Sequence, residues 1–230
     1  MNTVLITGAN RGIGLEFCYQ YGQQGWKVIA CCRQPEQATE LNKLAEHMSL
    51  QIHEMDVMNR NGIDALANEL QHVSIDLLIA NAGIYGEKPG HALGNLAYTD
   101  WADTLETNVL GVVKVVEAFL PHLRRSEMAR IVALSSQMGS IEDNSSGGNL
   151  LYRSSKAALN AVMKSVAIDL TAEQIGVLIF HPGWVKTDMG GVNALIDAKT
   201  SVAGMVRQIQ RFTMPQTGQF IKYDGTQLPW

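Results

Sequence analysis

The chain opens with a short apolar run that ends in a glycine-rich turn: residues 3–14 read TVLITGANRGIG. The β-branched and aliphatic residues at 3–7 predict a strand, and the following LEFCY at 15–19 predicts the first turn of a helix. A strand that enters a helix through glycines presents free backbone N–H groups to a phosphate. This stretch therefore predicts a dinucleotide-phosphate site.

Each glycine of this turn has its own expected task. Gly8 makes the tight turn, Gly12 lets a pyrophosphate approach the main chain, and Gly14 lets the helix lie close to the strand. Asn10 and Ile13 are expected to line the phosphate and nicotinamide side of the turn. The spacing is Gly-x3-Gly-x-Gly and not the commoner Gly-x-Gly-x2-Gly, so the interpretation depends on the flanking strand and helix.

Composition limits the class of protein. The 230 residues are 46% hydrophobic with a mean hydropathy of -0.01, which predicts one core and one domain over 1–230. The net charge is -4 and no basic block occurs, so nucleic acid and anionic membrane are not expected as partners. No apolar run approaches ~20 residues, and the first strand leaves no room for a signal peptide. We therefore expect a cytoplasmic protein.

Cysteines and histidines give no metal or redox signature. Cys18, Cys31 and Cys32 have none of the spacings typical of such sites, and the adjacent pair would point to opposite faces of a strand. The six histidines are scattered. The sequence thus predicts buried, reduced thiols and no metal.

Strand-like and helix-like runs alternate along the chain, which predicts an α/β fold. Strands are expected near 3–7, 26–31, 50–54, 75–80, 129–135, 175–181 and 219–223, and helices near 12–24, 36–46, 60–70, 100–124, 152–172 and 200–212. Continuously apolar strands are typical of sheets buried on both faces. The pattern predicts a single doubly wound Rossmann-type domain with a mostly parallel seven-stranded sheet and helices on both faces.

In such a sheet, ligands bind outside the carboxyl ends of the strands. Polar or small residues follow the predicted strands there: Arg33 after the second, Asp56 and Val57 after the third, Asn81, Ala82 and Gly83 after the fourth, Ser135 and Ser136 after the fifth, Pro182 and Gly183 after the sixth. A cation at Arg33, where an NAD-binding protein usually has an acid, suits a 2′-phosphate, and Arg11 would add a second positive charge. The alternative is that Arg33 is a solvated surface residue.

Taken in order, these motifs resemble a classical short-chain dehydrogenase/reductase over about 3–187. The resemblance rests on Thr7-Gly8-x3-Gly12-x-Gly14, Asn81-Ala82-Gly83, Asn108, Ser136, Tyr152-x3-Lys156 and Pro182-Gly183. The segments SSQMGSI at 135–141 and HPGWVKTDMGG at 181–191 are similar to the branch that contains C-factor-like and sniffer-like carbonyl reductases. Because a member of that branch is associated with cell-contact signalling, the branch does not define a substrate.

The resemblance implies the catalytic roles. It makes Tyr152 the proton donor to the carbonyl and Ser136 the hydrogen-bond donor that polarises the substrate oxygen. It makes Lys156 the residue that adjusts the pKa of Tyr152 and that binds the nicotinamide ribose. It also places Asn108 in a proton relay that holds water near Lys156, and Thr187 at the nicotinamide amide. From the spacing alone, Tyr152 and Lys156 share one helix face, and a nearby ammonium favours the phenolate form of a tyrosine.

The resemblance implies that residues 188–212 form the substrate lid, and Gly190-Gly191 would give this segment a mobile hinge. Trp184 either lines the mouth of the site or packs. The resemblance implies a homodimer or homotetramer through the helices at 100–124 and 152–172.

The sequence therefore predicts an oxidoreductase that prefers NADPH to NADH and acts on a small carbonyl or alcohol substrate. The alternative is a nucleotide-binding signalling protein of the C-factor type, whose role does not depend on turnover. A purely structural domain would need none of the four residues Asn108, Ser136, Tyr152 and Lys156.

Overall fold

A computed structural model describes all 230 residues of the protein, in which strands and helices alternate. The strands are β1 (Thr3–Thr7), β2 (Lys27–Cys32), β3 (Leu50–Glu54), β4 (Leu77–Ala80), β5 (Arg130–Leu134), β6 (Gly176–His181) and β7 (Gln219–Lys222). The α-helices are α1 (Gly12–Gln23), α2 (Thr39–Ala45), α3 (Arg60–Glu69), α4 (Tyr98–Leu105), α5 (Gly111–Leu123), α6 (Leu150–Asp169) and α7 (Ala198–Arg211).

All seven strands form one sheet in the order β3-β2-β1-β4-β5-β6-β7, and every neighbouring pair is parallel. The predicted fold class is confirmed, and the sheet is entirely parallel. The strand order reverses direction between β1 and β4. Ligands bind at such a switch point because the connections leave it on opposite faces and open a crevice.

Two hydrophobic cores cover the two faces of the sheet. Leu5 and Leu78 point into the core beneath α3, α5 and α6, whereas Ile6 and Ile79 point into the core beneath α1, α2 and α7. Successive strand residues point to opposite faces, so a strand buried on both sides must be apolar throughout. This is why the strands lack the polar alternation of a half-exposed sheet.

The predicted helix at 100–124 differs most from the structure. It begins earlier, at Tyr98, and consists of α4, a π-helical turn over Glu106–Leu110, and α5. A π turn inserts one extra residue into the helical spiral, and such turns occur frequently at functional sites. No helix of the protein is both long enough and apolar enough to cross a membrane.

Candidate active site

A cleft of about 610 Å³ lies at the carboxyl ends of the central strands. This volume is within the range of small-molecule sites. Fifteen of the residues predicted for the site line it: Gly8, Asn10, Arg11, Gly12, Ile13, Arg33, Asp56, Val57, Asn81, Ala82, Gly83, Tyr152, Lys156, Pro182 and Thr187. The structure therefore brings together residues from the whole length of the predicted motif series.

Four predicted residues do not line the cleft: Gly14, Asn108, Ser136 and Gly183. A Cβ on Gly14 would lie only 2.2 Å from the carbonyl oxygen of Gly8, so this glycine allows α1 to pack on the turn. Gly183 has a φ of 88°, and a Cβ there would meet the side chain of Ile196. Both glycines thus shape the walls of the cleft from behind.

Several lining residues were not predicted from the sequence: Cys32, Met55, Met58, Ile84, Asp103, Thr107, Leu134 and Lys186. Three more, Ser135 at a strand end and Asp188 and Met189 in the expected lid, were noted without a role at the site. Most of the unpredicted residues lie within a few residues of a predicted strand end, so extending each strand-end motif by those residues would have included them. Asp103 and Thr107 come from α4 and the π turn, and no strand-end signal identifies them.

The glycine turn is fixed by Asn81. Its side-chain amide donates to the carbonyl oxygens of Thr7 at 2.9 Å and Gly8 at 3.1 Å. In return, the Thr7 hydroxyl accepts the backbone N–H groups of Asn81 and Ala82. These bonds join the ends of β1 and β4, so Asn81 supports the shape of the turn as well as lining the cleft.

Arg11 and Arg33, the two cations predicted to bind the 2′-phosphate of the cofactor, have different surroundings. Arg11 Nη1 donates to Asp188 Oδ2 at 2.7 Å, and this ion pair spans the cleft mouth from the glycine turn to the predicted lid. Arg33 is exposed after β2 and takes part in no ion pair. Arg11 therefore has a carboxylate partner and Arg33 has none, and the joint role of the two cations at a 2′-phosphate stays a prediction.

Tyr152 lies in the first turns of α6, with its hydroxyl close enough to the Ser136 side chain for that side chain to affect its pKa. Burial raises the pKa of Tyr152 to about 12, although the Ser136 side chain acts in the opposite direction. Ser136 Oγ also accepts the N–H of Met138 at 3.1 Å, whereas Ser135 Oγ donates to Asn160 Oδ1. Of the two serines, Ser136 is therefore the one that lies close to the tyrosine hydroxyl.

Lys156 lies one helical turn after Tyr152 and is buried. Its Nζ donates to the carbonyl oxygen of Leu134 at 2.8 Å and lies 5.7 Å from the centroid of the Tyr152 ring. Burial lowers the pKa of Lys156 to about 8. From the sequence, the ammonium of Lys156 was expected to favour the phenolate form of Tyr152, which means a lower pKa. In the structure, burial has the larger effect and raises the pKa of Tyr152 instead.

Asn108 occupies the π turn and is completely buried. Its side chain exchanges two hydrogen bonds of 2.8 Å with the backbone of Ile84 and donates to Ser155 Oγ at 3.0 Å. A Cβ on Gly83 would lie 3.1 Å from Asn108 Oδ1 and 3.6 Å from Lys156 Nζ. Asn108 and Lys156 therefore both lie close to Gly83, and a larger residue there would crowd Asn108.

The segment after β6 resolves the two alternatives for Trp184. Its indole N–H donates to the carbonyl oxygen of Gly190 at 2.7 Å, and it does not line the cleft. Thr187 and Met189 do line it. Trp184 therefore packs on the backbone of its own segment.

Residues 2–194 match the protein family described as short chain dehydrogenase. The C-signal protein of Myxococcus xanthus is 44% identical over 156 residues, which is 68% of this chain and 93% of that protein. Among solved structures, the carbonyl reductase Sniffer of D. melanogaster is 36% identical with a TM-score of 0.94 and full coverage of both chains. An NADPH-bound carbonyl reductase from chicken fatty liver is 34% identical with a TM-score of 0.91, covering 100% of this chain and 99% of that one.

Proposed function

The chain belongs to the short chain dehydrogenase family, and from this premise we propose that it is an NADP(H)-dependent oxidoreductase that reduces a carbonyl group or oxidises an alcohol. The observation that carries the proposal is that Tyr152 and Lys156 line the cleft that the glycine turn borders, with the Ser136 side chain close to the Tyr152 hydroxyl. When bound, the dinucleotide supplies or accepts the hydride.

The residues of the cleft fit such a dinucleotide. The glycine turn at the start of α1 offers backbone N–H groups to its phosphates, and Arg33 offers a cation without an ion-pair partner to a 2′-phosphate. The chicken-liver relative was solved with NADPH bound. We therefore assign cofactor binding to the lining residues predicted from the sequence, with NADPH preferred over NADH.

We assign the donation of a proton to the substrate carbonyl to Tyr152. With its pKa near 12, the phenol keeps its proton at neutral pH and is available as a donor to the carbonyl oxygen. Ser136 is assigned to orient that oxygen and to stabilise the charge that develops on it. With its pKa near 8, Lys156 exchanges a proton readily near neutral pH, which suits a proton relay in which Asn108 holds a water near Lys156.

The lid is proposed for residues 188–197 only. Val192 and Leu195 are 89% and 77% exposed, whereas α7 buries Val202, Met205 and Ile209 in the core. Residues 188–197 are held by the exposed ion pair at Asp188 and by hydrogen bonds of Gly190, Leu195 and Ile196 to Trp184, whereas α7 is also packed into the core and is therefore the less mobile of the two.

We further propose a single-domain cytoplasmic protein that forms a homodimer or homotetramer. Leu110 and Ile168 are 48% and 64% exposed on the long helices expected at the subunit contact. Large apolar side chains that face water on such surfaces favour association.

A second candidate function is cell signalling that requires the bound nucleotide but not turnover. The 44% identity to the C-signal protein favours it. The geometry of Tyr152, Ser136 and Lys156 favours the enzyme, because nucleotide binding alone does not require a half-buried tyrosine beside a buried lysine.

The test is a panel of aldehydes and ketones offered with NADPH or NADH, followed by the absorbance of the reduced cofactor. We expect turnover of several compounds. At low cofactor concentration, turnover should be faster with NADPH than with NADH. Tight NADPH binding without oxidation of any compound would favour the signalling candidate. Absence of binding to either cofactor would contradict both.

A further inference from the structure

The helix that carries Tyr152 starts without a cap from its own flanking residue. Asn149 precedes α6 with a φ of 50°, and its side chain makes no bond to the first turn. Instead, Asn149 Oδ1 accepts the hydroxyl of Tyr85 at 2.7 Å. The first four N–H groups of any helix lack partners within the helix. The first turn of α6 therefore depends on a group from elsewhere in the chain.

Glu87 supplies that group. Its Oε1 accepts the N–H of Leu151 at 2.8 Å and that of Tyr152 at 3.4 Å. The Glu87 side chain is only 8% exposed. A carboxylate at a helix N-terminus gains from the helix dipole and from charge-assisted hydrogen bonds, which offset the loss of hydration. Glu87 is thus a cap that reaches α6 from the loop after β4.

The loop that carries Glu87 is held by His91 and Lys88. His91 Nδ1 accepts the N–H of Lys88 at 3.1 Å, so it has no proton to offer the Glu87 carboxylate 3.6 Å away. On the far side of the ring, His91 Nε2 lies 3.5 Å from Asp100 of α4, which also pairs with Lys88 Nζ at 2.7 Å. These contacts anchor the capping loop to α4, so the carboxylate has a defined position.

The same loop contacts the Tyr152 ring. The rings of Tyr85 and Tyr152 have centroids 4.9 Å apart at an angle of 50°. Lys156, by contrast, is held by the carbonyl oxygen of Leu134 at the end of β5. The tyrosine and the lysine therefore have separate anchors, although they lie on one helix.

We propose that Glu87 is a positioning residue for Tyr152: by capping α6 it holds the tyrosine hydroxyl against Ser136. The inference depends on the proposed role of Tyr152 as the proton donor. Without the cap, the first turn of α6 frays and the hydroxyl loses its position. Lys156 and the glycine turn, which bind the cofactor in this proposal, keep their own contacts.

The experiment compares Glu87→Ala with Glu87→Gln, since a glutamine still offers an oxygen to the two N–H groups. We expect Glu87→Ala to lower kcat by about 10- to 100-fold, the range typical of a misplaced catalytic group. The dissociation constant of NADPH should stay close to the wild-type value, and Glu87→Gln should restore most of kcat. Hydrogen exchange at the Leu151 and Tyr152 amides should accelerate in the alanine variant only.

Asn59→Ala is the matched control, because Asn59 caps α3 by accepting the N–H of Gly62 at 3.1 Å. It should lose similar thermal stability and keep kcat at saturating NADPH. If Glu87→Ala does not fold, Glu87→Asp replaces it, since the shorter side chain cannot reach both N–H groups.

Three results would overturn the proposal: a folded Glu87→Ala variant with wild-type kcat, no recovery in Glu87→Gln, or an equal loss of kcat in Asn59→Ala. Failure of the proposed function has a different signature. If Tyr152→Phe retains full activity, the role of Tyr152 is wrong. If Tyr152→Phe is inactive and Glu87→Ala is fully active, only the positioning role is wrong.

Discussion

Replacing Tyr152 with phenylalanine removes one oxygen and leaves the ring, which still packs against Tyr85 at a centroid distance of 4.9 Å. The lost group is the hydroxyl that lies close to the Ser136 side chain. Ser136 Oγ keeps the N–H of Met138 as a donor, so no buried polar atom is left without a partner. We expect the free energy of unfolding to fall by only about 0.5–1.5 kcal/mol, the net value of one hydrogen bond.

The effect on turnover should be far larger. A general acid typically contributes ~100- to 10,000-fold to the rate, which corresponds to roughly 3–5 kcal/mol of activation free energy. NADPH affinity should change little in Tyr152→Phe, because Arg33, the glycine turn and Lys156 are unchanged. Lys156→Ala should instead lower both turnover and NADPH affinity, since Lys156 is assigned to both.

The assay follows NADPH absorbance with a carbonyl compound that the wild-type protein reduces, together with a titration of NADPH binding. Tyr21→Phe is the matched control: Tyr21 is 1% exposed, and its hydroxyl has no hydrogen-bond partner in the protein. It should keep kcat and lose no stability. Wild-type turnover by Tyr152→Phe would refute the assignment of the proton donor. Loss of turnover with every cellular activity retained would favour the signalling candidate.

Three further predictions concern the cofactor, the lid and pH. Arg33→Ala should weaken NADPH by about 10- to 100-fold with little effect on NADH, and equal losses in titrations of both cofactors would contradict the 2′-phosphate role. Hydrogen exchange of residues 188–197 should slow when NADPH and a substrate analogue bind, and unchanged protection would contradict the lid. The pKa of Lys156 is about 8 in the folded protein and 10.5 ordinarily, so between these values the unfolded chain binds more protons, and the cost of burying this lysine falls as pH rises. The unfolding free energy of the wild type relative to Lys156→Met, measured in urea, should therefore rise by up to about 1.4 kcal/mol per pH unit, and a constant difference would refute this.

The sequence by itself determined the fold and most of the candidate site. A strand buried on both faces has to be apolar at every position, so runs such as Leu77–Ala80 identify the sheet without any knowledge of their neighbours. Parallel strands end at one edge, so the residues that follow them meet there. The spacing of Tyr152 and Lys156 likewise places both on one face of α6 because the helix repeats every 3.6 residues. These signals are local, and local signals can be read from the chain.

The tertiary structure decided what depends on contacts between distant residues. The ion pair of Arg11 with Asp188 joins positions 177 apart, and Glu87 caps a helix 64 residues away. No spacing rule relates such pairs. The pKa of Tyr152 could not be predicted from the sequence either. A lysine one helical turn away predicts a lowered pKa, but burial raises the pKa of Tyr152 instead. Desolvation depends on how much protein surrounds a group from every direction, and that is set only when the whole chain has packed.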